Sequence, residues 1–262
     1  MKASEMLPTP STSHLKFDRI YEPAEDSYLL LDTLSSSSEK EFLTSRFNTA
    51  SQPHGSPSPL ILEIGTGSGV VLSFLHAHCE LIFGRNDILT SGIDINPFAC
   101  HATSQTIKVA EQDQLSSGLT HGFYLGNVQG DLTTPMKPHS VDVLVFNPPY
   151  VPTPSLPSAW EKRSRENLTF DDDSHLLELS YAGGRDGMEI TDRLLEQVPN
   201  VLSQRGVAYV LLCAQNKPEI VKNGISRWEG GERGWKAETV GRSGKTGGWE
   251  KLSIIRIWKE DM

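Results

Sequence analysis

Leu60-Ile-Leu-Glu-Ile-Gly-Thr-Gly-Ser-Gly69 is a short apolar strand ending in a glycine turn, and a helical stretch over 70–78 follows directly. Glycines between a strand and a helix let the backbone approach a ligand closely and leave the helix N-terminus free to receive it. The spacing is G-x-G-x-G, not the G-x-G-x-x-G of a dinucleotide site, and simple tight turns share such glycines. Alone, the turn predicts a βα unit and leaves its ligand open.

Downstream the alternation repeats, the pattern of a doubly wound α/β fold with a mostly parallel sheet. A strand over 91–95 carries Asp94, and Asn96-Pro97 opens a helix to about residue 111. A polar loop over 112–120 precedes a strand at 123–128 and then Gly130-Asp131-Leu132. Val141–Phe146 is the clearest strand and delivers Asn147-Pro-Pro-Tyr150. Residues 151–175, rich in proline and charge, read as a loop insert. Ala182-Gly-Gly-Arg-Asp-Gly187 precedes an amphipathic helix to about 202, a strand at 207–213, a Gly-rich region at 225–248 and a last strand at 252–258.

Upstream, residues 1–16 are polar and read as a flexible tail. Tyr21-Glu-Pro-Ala-Glu-Asp-Ser-Tyr28 runs into a helix starting near residue 23, with positions 28, 30, 31 and 34 on its buried face. Residues 35–59 are a Ser/Pro-rich insert, part of which can extend the helix, while 51–59 reads as a mobile linker. One domain over 17–262 is the expectation.

Successive strand ends therefore carry Gly, Asp and Asp. A carboxylate at Asp94 can accept both ribose hydroxyls of an adenosyl ligand, and equally can cap the following helix. Asp131 stands where an adenine amino group needs an acceptor, and Leu132 where the ring needs an apolar wall. The fourth strand end has a logic fitted to methylating a planar NH2 nitrogen. The Asn147 side-chain oxygen and a backbone carbonyl, that of Pro148, can accept the two N–H groups and aim the lone pair at a methyl donor. The prolines stiffen the loop, and Tyr150 can stack on the planar group. A proline-rich turn is the bland alternative.

The 33 acidic against 24 basic residues give a net charge of −9, which speaks against autonomous nucleic-acid binding. Cys79, Cys100 and Cys213 show no metal-ligand spacing, so no metal site is expected, and three dispersed thiols suit a reducing compartment. Neither a membrane-length apolar run nor a signal core is present, so a cytoplasmic, or also nuclear, protein is expected. His76, His78 and His101 read as helix-surface residues, and Arg185 as either substrate rim or turn.

The ordered motifs YEPAEDS, LEIGTGSG, IDINP, DL, VFNPPYV and AGGRDG resemble the HemK-like release-factor glutamine methyltransferases, class I enzymes with a seven-stranded sheet. The resemblance implies S-adenosylmethionine as cofactor and S-adenosylhomocysteine as product. It places cofactor contacts at Tyr21, Asp26, Ser27, Glu63, Gly65, Gly67, Asp94, Asp131, Leu132 and Asn147. It likewise implies that the glutamine amide is held by Asn147, Pro148, Pro149 and Tyr150. The short segment before YEPAED is similar to the eukaryotic and archaeal branch, where Ser27 replaces the usual Thr. That branch methylates the Gly-Gly-Gln glutamine of the class 1 translation termination factor. In eukaryotes it works as the catalytic subunit of a heterodimer with a small zinc-binding activator. Phe123-Tyr124-Leu125 could offer that partner an exposed sheet edge, or be covered internally.

Two other activities share parts of this logic. Adenine-N6 methylation of DNA or RNA uses a related loop but requires base flipping and phosphate contacts. Lysine methylation requires amine deprotonation, for which Asn-Pro-Pro-Tyr is poorly suited. A scaffold that binds the cofactor only to fold would not need Asn147 and Tyr150.

Overall fold

The computed structural model describes residues 6–47, 56–157, 170–228, 234–244 and 251–260. Among these residues seven strands form one sheet: β1 (Leu60–Ile64), β2 (Leu89–Asp94), β3 (Phe123–Gln129), β4 (Val141–Phe146), β5 (Leu202–Cys213), β6 (Trp235–Arg242) and β7 (Leu252–Lys259). Their order is β3-β2-β1-β4-β5-β7-β6. The first five are parallel, and β7 runs antiparallel to both β5 and β6.

Strand β5 shows why the sheet is covered on both sides. Val207, Tyr209, Leu211 and Cys213 join one apolar cluster, while Ala208, Val210 and Leu212 join another. A strand buried on both faces reads as a continuous apolar run, which is what made β4 and β5 visible. The first cluster packs beneath α1 (Glu25–Leu34), α2 (Ser37–Phe47), α3 (Val70–Ala77), α4 (Cys79–Phe83) and α5 (Pro97–Ser116). The second packs beneath α7 (Glu189–Val201) and α8 (Pro218–Ile225), while α6 (Phe170–Tyr181) lies between β4 and α7 in the chain. The strand order reverses at β1, flanked by β2 and β4, and the crevice at such a switch point is where doubly wound folds bind ligands.

Several expectations are corrected. Residues 6–16 are no free tail: Leu7 packs on the first cluster, and the Pro8 carbonyl accepts a 2.8 Å hydrogen bond from His78 Nε2. His76 and His78 are buried, not on the helix surface, and burial holds the His76 imidazole down at about 4. His101 is exposed as expected. Tyr28 is exposed, so the buried face of α1 runs through Leu30, Leu31 and Leu34. Helix α5 extends to Ser116, through half of the expected loop.

The insert at 35–59 contains α2, whose buried Glu39 accepts from Arg256 at 2.8 Å and from the Tyr209 hydroxyl at 2.7 Å. Residues 48–55, which include 51–55 of the expected linker, lie outside the described residues. Ser56 and Pro57 are held by Arg85 and Arg205 through their carbonyls. The insert at 151–175 ends inside α6, with 158–169 outside the described residues. The Gly-rich region at 225–248 contains β6; its residues 229–233 and 245–248 likewise lie outside the described residues.

Candidate active site

A cleft of about 630 Å³ opens at the C-terminal strand ends. From the β1 turn it is bordered by Glu63, Gly65 and Gly67, and from the ends of β2 and β3 by Asp94, Asp131 and Leu132. The loop after β4 contributes Asn147, Pro148, Pro149 and Tyr150, and the N-terminal segment contributes Tyr21, Asp26 and Ser27. All the residues singled out from sequence for chemistry thus meet at one cavity. Its volume lies in the range of small-molecule sites.

Asp26 organises the substrate side. Its Oδ2 accepts from the Tyr21 hydroxyl at 3.0 Å and from Asn147 Nδ2 at 3.1 Å, and its Oδ1 accepts from the Ser27 backbone N–H at 2.6 Å. An acceptor-only carboxylate fixes which end of the Asn147 amide faces it. The other end, Oδ1, is buried with no hydrogen-bond partner among the described residues. A buried acceptor without a donor is costly, and it is the feature a site has when its ligand supplies the missing N–H.

The cofactor side carries two buried carboxylates. Glu63 Oε2 accepts from the Leu72 N–H at 2.9 Å, closing the first turn of α3 where Gly69 offers no capping side chain. Asp94 accepts from the Gly67 and Asn96 N–H groups at 3.0 and 2.8 Å. The cap of α5 is Asn96, whose Oδ1 accepts from Phe98 N–H at 2.9 Å ahead of Pro97, so Asp94 is left for the cleft. Burial pushes the Glu63 carboxyl well up and that of Asp94 to about 6; neighbouring hydrogen bonds oppose the shift, and Asp94 adds to that of Glu63. Gly65 and Gly67 have φ of 65° and 52°, a region in which a side chain is strained.

At the third strand end Leu132 holds a φ of 50° and is buried. A left-handed branched residue costs on the order of 1–3 kcal/mol, and such strain gathers at sites where a side chain must be held inward. Asp131 is half exposed and paired with Arg193 of α7, which also borders the cleft.

The Ala182–Gly187 turn buttresses the Asn-Pro-Pro-Tyr loop. Gly183 N–H donates to the Val151 carbonyl at 2.8 Å, and the Thr153 N–H donates to the Gly184 carbonyl at 3.0 Å. A Cβ on Gly187, whose φ is 69°, would lie 2.0 Å from the Tyr150 carbonyl oxygen. Arg185 belongs to this turn and does not border the cleft. Asn216, which the sequence reading missed, ties the pieces together: its Nδ2 donates to the carbonyls of Tyr150 and Asp186 at 3.3 and 2.9 Å, and its Oδ1 accepts from Cys213 N–H at 2.7 Å. Its position just past the end of β5 was the only signal for it. Arg193 was missed too, because half a turn of polar residues on an amphipathic helix looks like solvated surface.

No protein-family model matches the chain. Sheet order, buried Asp94, glycine turn and Asn-Pro-Pro-Tyr loop together define a class I S-adenosylmethionine-dependent methyltransferase. The fold agrees with the catalytic domain of human Mettl16 bound to a MAT2A 3′UTR hairpin, at a TM-score of 0.51 and 13% identity, over 93% of this chain and 74% of that one. Whole-length relatives narrow the class. The chain is 32% identical to the fission yeast (Schizosaccharomyces pombe) eRF1 methyltransferase catalytic subunit mtq2, over 97% of this chain and 96% of the relative. It is 32% identical to mouse methyltransferase HEMK2, over 98% and 99%. It is 30% identical to a putative protein N5-glutamine methyltransferase of Methanocaldococcus jannaschii, over 92% of each. The chain belongs to the HemK-like glutamine methyltransferase family.

Proposed function

We propose that this enzyme methylates N5 of the glutamine in the Gly-Gly-Gln motif of the class 1 translation termination factor. The observation that carries the proposal is the buried Asn147 Oδ1, which has no hydrogen-bond partner among the described residues and is held on the side of the amide away from Asp26. A carboxamide nitrogen is a weak nucleophile with two N–H donors. Asn147 Oδ1 takes one and the Pro148 carbonyl the other, which orients the nitrogen and lets its lone pair localise as the bond forms. S-adenosylmethionine would supply an electrophilic sulfonium methyl to that nitrogen, leaving as S-adenosylhomocysteine, with the displaced amide proton passing to water. Asp94 would hold the ribose hydroxyls, Leu132 the adenine face and Asp131 its amino group, with Glu63, Gly65, Gly67 and Ser27 along the rest of the cofactor. The name of the yeast relative, an eRF1 methyltransferase, supports the substrate class.

The word "subunit" in that name supports a partner, and the proposal extends to a small zinc-binding activator. Among the described residues strand β3 pairs on one side only, with β2, and it carries Phe123 and Leu125 at 60% and 59% exposure. An unpaired strand edge with apolar side chains is what an added partner strand extends. The same reading places the work in the cytoplasm, and also in the nucleus. Among the described residues no helix is long and apolar enough to cross a membrane.

The test is methyl transfer from labelled S-adenosylmethionine to the purified termination factor, wild type against Gln→Asn in its Gly-Gly-Gln motif, with and without the activator. An adenine-containing oligonucleotide is run beside it. Label on the wild-type factor alone is expected. Label on the oligonucleotide with none on the factor would overturn the substrate and leave fold and cofactor standing.

A further inference from the structure

Among the described residues, His76, Glu111 and His121 bring together three donor atoms, one from each, within 4.8 Å of one another. They come from α3, α5 and the segment before β3, and none borders the cleft. The His76 ring is fully buried, and the His121 ring stacks on it with centroids 5.2 Å apart. His76 Nε2 stands 3.2 Å from Glu111 Oε1. Two ligands of one tetrahedral zinc ion, each at roughly 2.0–2.1 Å, are about 3.3 Å apart, so this pair already has the spacing of a coordination edge.

The other ring nitrogens are held as outer partners hold ligating histidines. His121 Nδ1 donates to the Gly122 carbonyl at 2.8 Å, which leaves its Nε2 with a lone pair. His76 Nδ1 meets Thr90 Oγ1 at 2.9 Å, and that hydroxyl reaches the Phe123 carbonyl at 3.5 Å. With the threonine proton on the carbonyl, His76 Nδ1 is the donor, and the neutral ring turns its Nε2 lone pair on the Glu111 carboxylate. In that tautomer two acceptors face each other at 3.2 Å, a repulsion that a cation between them removes. The competing arrangement, an ordinary His76 Nε2–H hydrogen bond to Glu111, needs the opposite tautomer. Glu111 is 29% exposed at its side chain, which gives an ion access from solvent.

We propose that His76, Glu111 and His121 form a zinc site at the root of β3. Two imidazoles, one carboxylate and a fourth position for water are a donor set that suits Zn²⁺. Completing it needs the partly exposed His121 donor to close by at most about 1.5 Å, from 4.8 Å to the spacing of a coordination edge. The ion would pin the start of the exposed edge strand to α3 and α5.

The experiment uses the full chain without a histidine tag, stripped with chelator and titrated with Zn²⁺ by calorimetry and with Co²⁺ by visible absorption. Wild type, His121→Ala, Glu111→Gln and, as control, His101→Ala are compared, each checked for native circular dichroism. Wild type and the control should bind one equivalent, with both site variants weaker by roughly tenfold or more. Zinc should raise the thermal midpoint of wild type and not of the site variants. No stoichiometric binding to wild type, or equal binding by all four proteins, would overturn the site and leave His76 as a hydrogen-bonded core residue.

Discussion

Asp26 and Asn147, 121 residues apart in the chain, are joined at 3.1 Å, carboxylate oxygen to amide nitrogen. The contact makes a side chain of the N-terminal segment responsible for the aim of the residue after β4. An unrestrained carboxamide can swap its nitrogen and oxygen; this one is fixed with its nitrogen on Asp26 and its oxygen on the other side.

Replacing Asp26 by Ala should therefore lower kcat by roughly 10²-fold, the size of effect that small misplacements of a positioned group produce. Single-turnover methyl transfer, read beside the cofactor dissociation constant from calorimetry, separates loss of aim from loss of cofactor. An unchanged kcat would show that Asn147 needs no orienting partner.

Asn147→Asp puts a second carboxylate against Asp26. Like charges at that distance raise the proton affinity of the pair, so activity at pH 7 should be lost and the thermal midpoint lowered. The midpoint deficit should shrink as the pH falls and one carboxyl takes up a proton. A scan of melting temperature against pH for variant and wild type measures this.

Asp94 gives a pH dependence whose sign can be worked out. Its carboxyl titrates at about 6 in the folded chain against an ordinary 3.8, because burial disfavours the charge. A raised carboxyl contributes folding stability that is fully present below its unfolded value and lost as pH rises through about 6. Accepting from hydroxyl groups requires the ionised form, so cofactor affinity runs the other way. It should fall by roughly tenfold per pH unit below about 6 and be flat above it. In Asp94→Asn the affinity should be weaker at neutral pH and lose this slope; calorimetric titration from pH 5 to 8, with ~1 unit steps, reads both.

Glu39→Ala should unfold the chain more easily without touching the chemistry. Arg256, buried and stacked over Phe42 at 3.8 Å and Trp258 at 4.6 Å, would keep its charge and lose its buried counter-ion. Removing one partner of such a pair costs about 3–5 kcal/mol. Urea unfolding should show the loss, with kcat per folded molecule unchanged well below the midpoint.

Much of this architecture could be read before any coordinates, and the exceptions have physical causes. Strands buried on both faces announce themselves: Leu60–Ile64 and Val141–Phe146 were placed to the residue. Strand β6 was not, because as an edge strand it hides little besides Trp235, and its Lys-Ala-Glu-Thr run looks like loop. Helix α2 was legible only as an extension of α1 and not as a helix of its own, because one of its three buried positions is Glu39, beside Leu43 and Phe47. His76 and His78 were misplaced because polarity alone suggested the surface, whereas Thr90 and the Pro8 carbonyl satisfy them inside. In the site, residues on strand ends were legible because βα order dictates where they stand. Asn216 and Arg193 were not, since their roles depend on which loops the tertiary fold lays beside them.

The contact between Gly187 and Tyr150 bears on how heritable variation in this enzyme should be interpreted. Residue 187 does not border the cleft, yet any side chain there collides with the backbone that carries the tyrosine. A genetic screen for lost methylation would score such an allele alongside lesions in the Asn-Pro-Pro-Tyr loop itself. Distance from the chemistry is thus a poor guide to harm in this molecule; what matters is whether a position shares a wall with that loop.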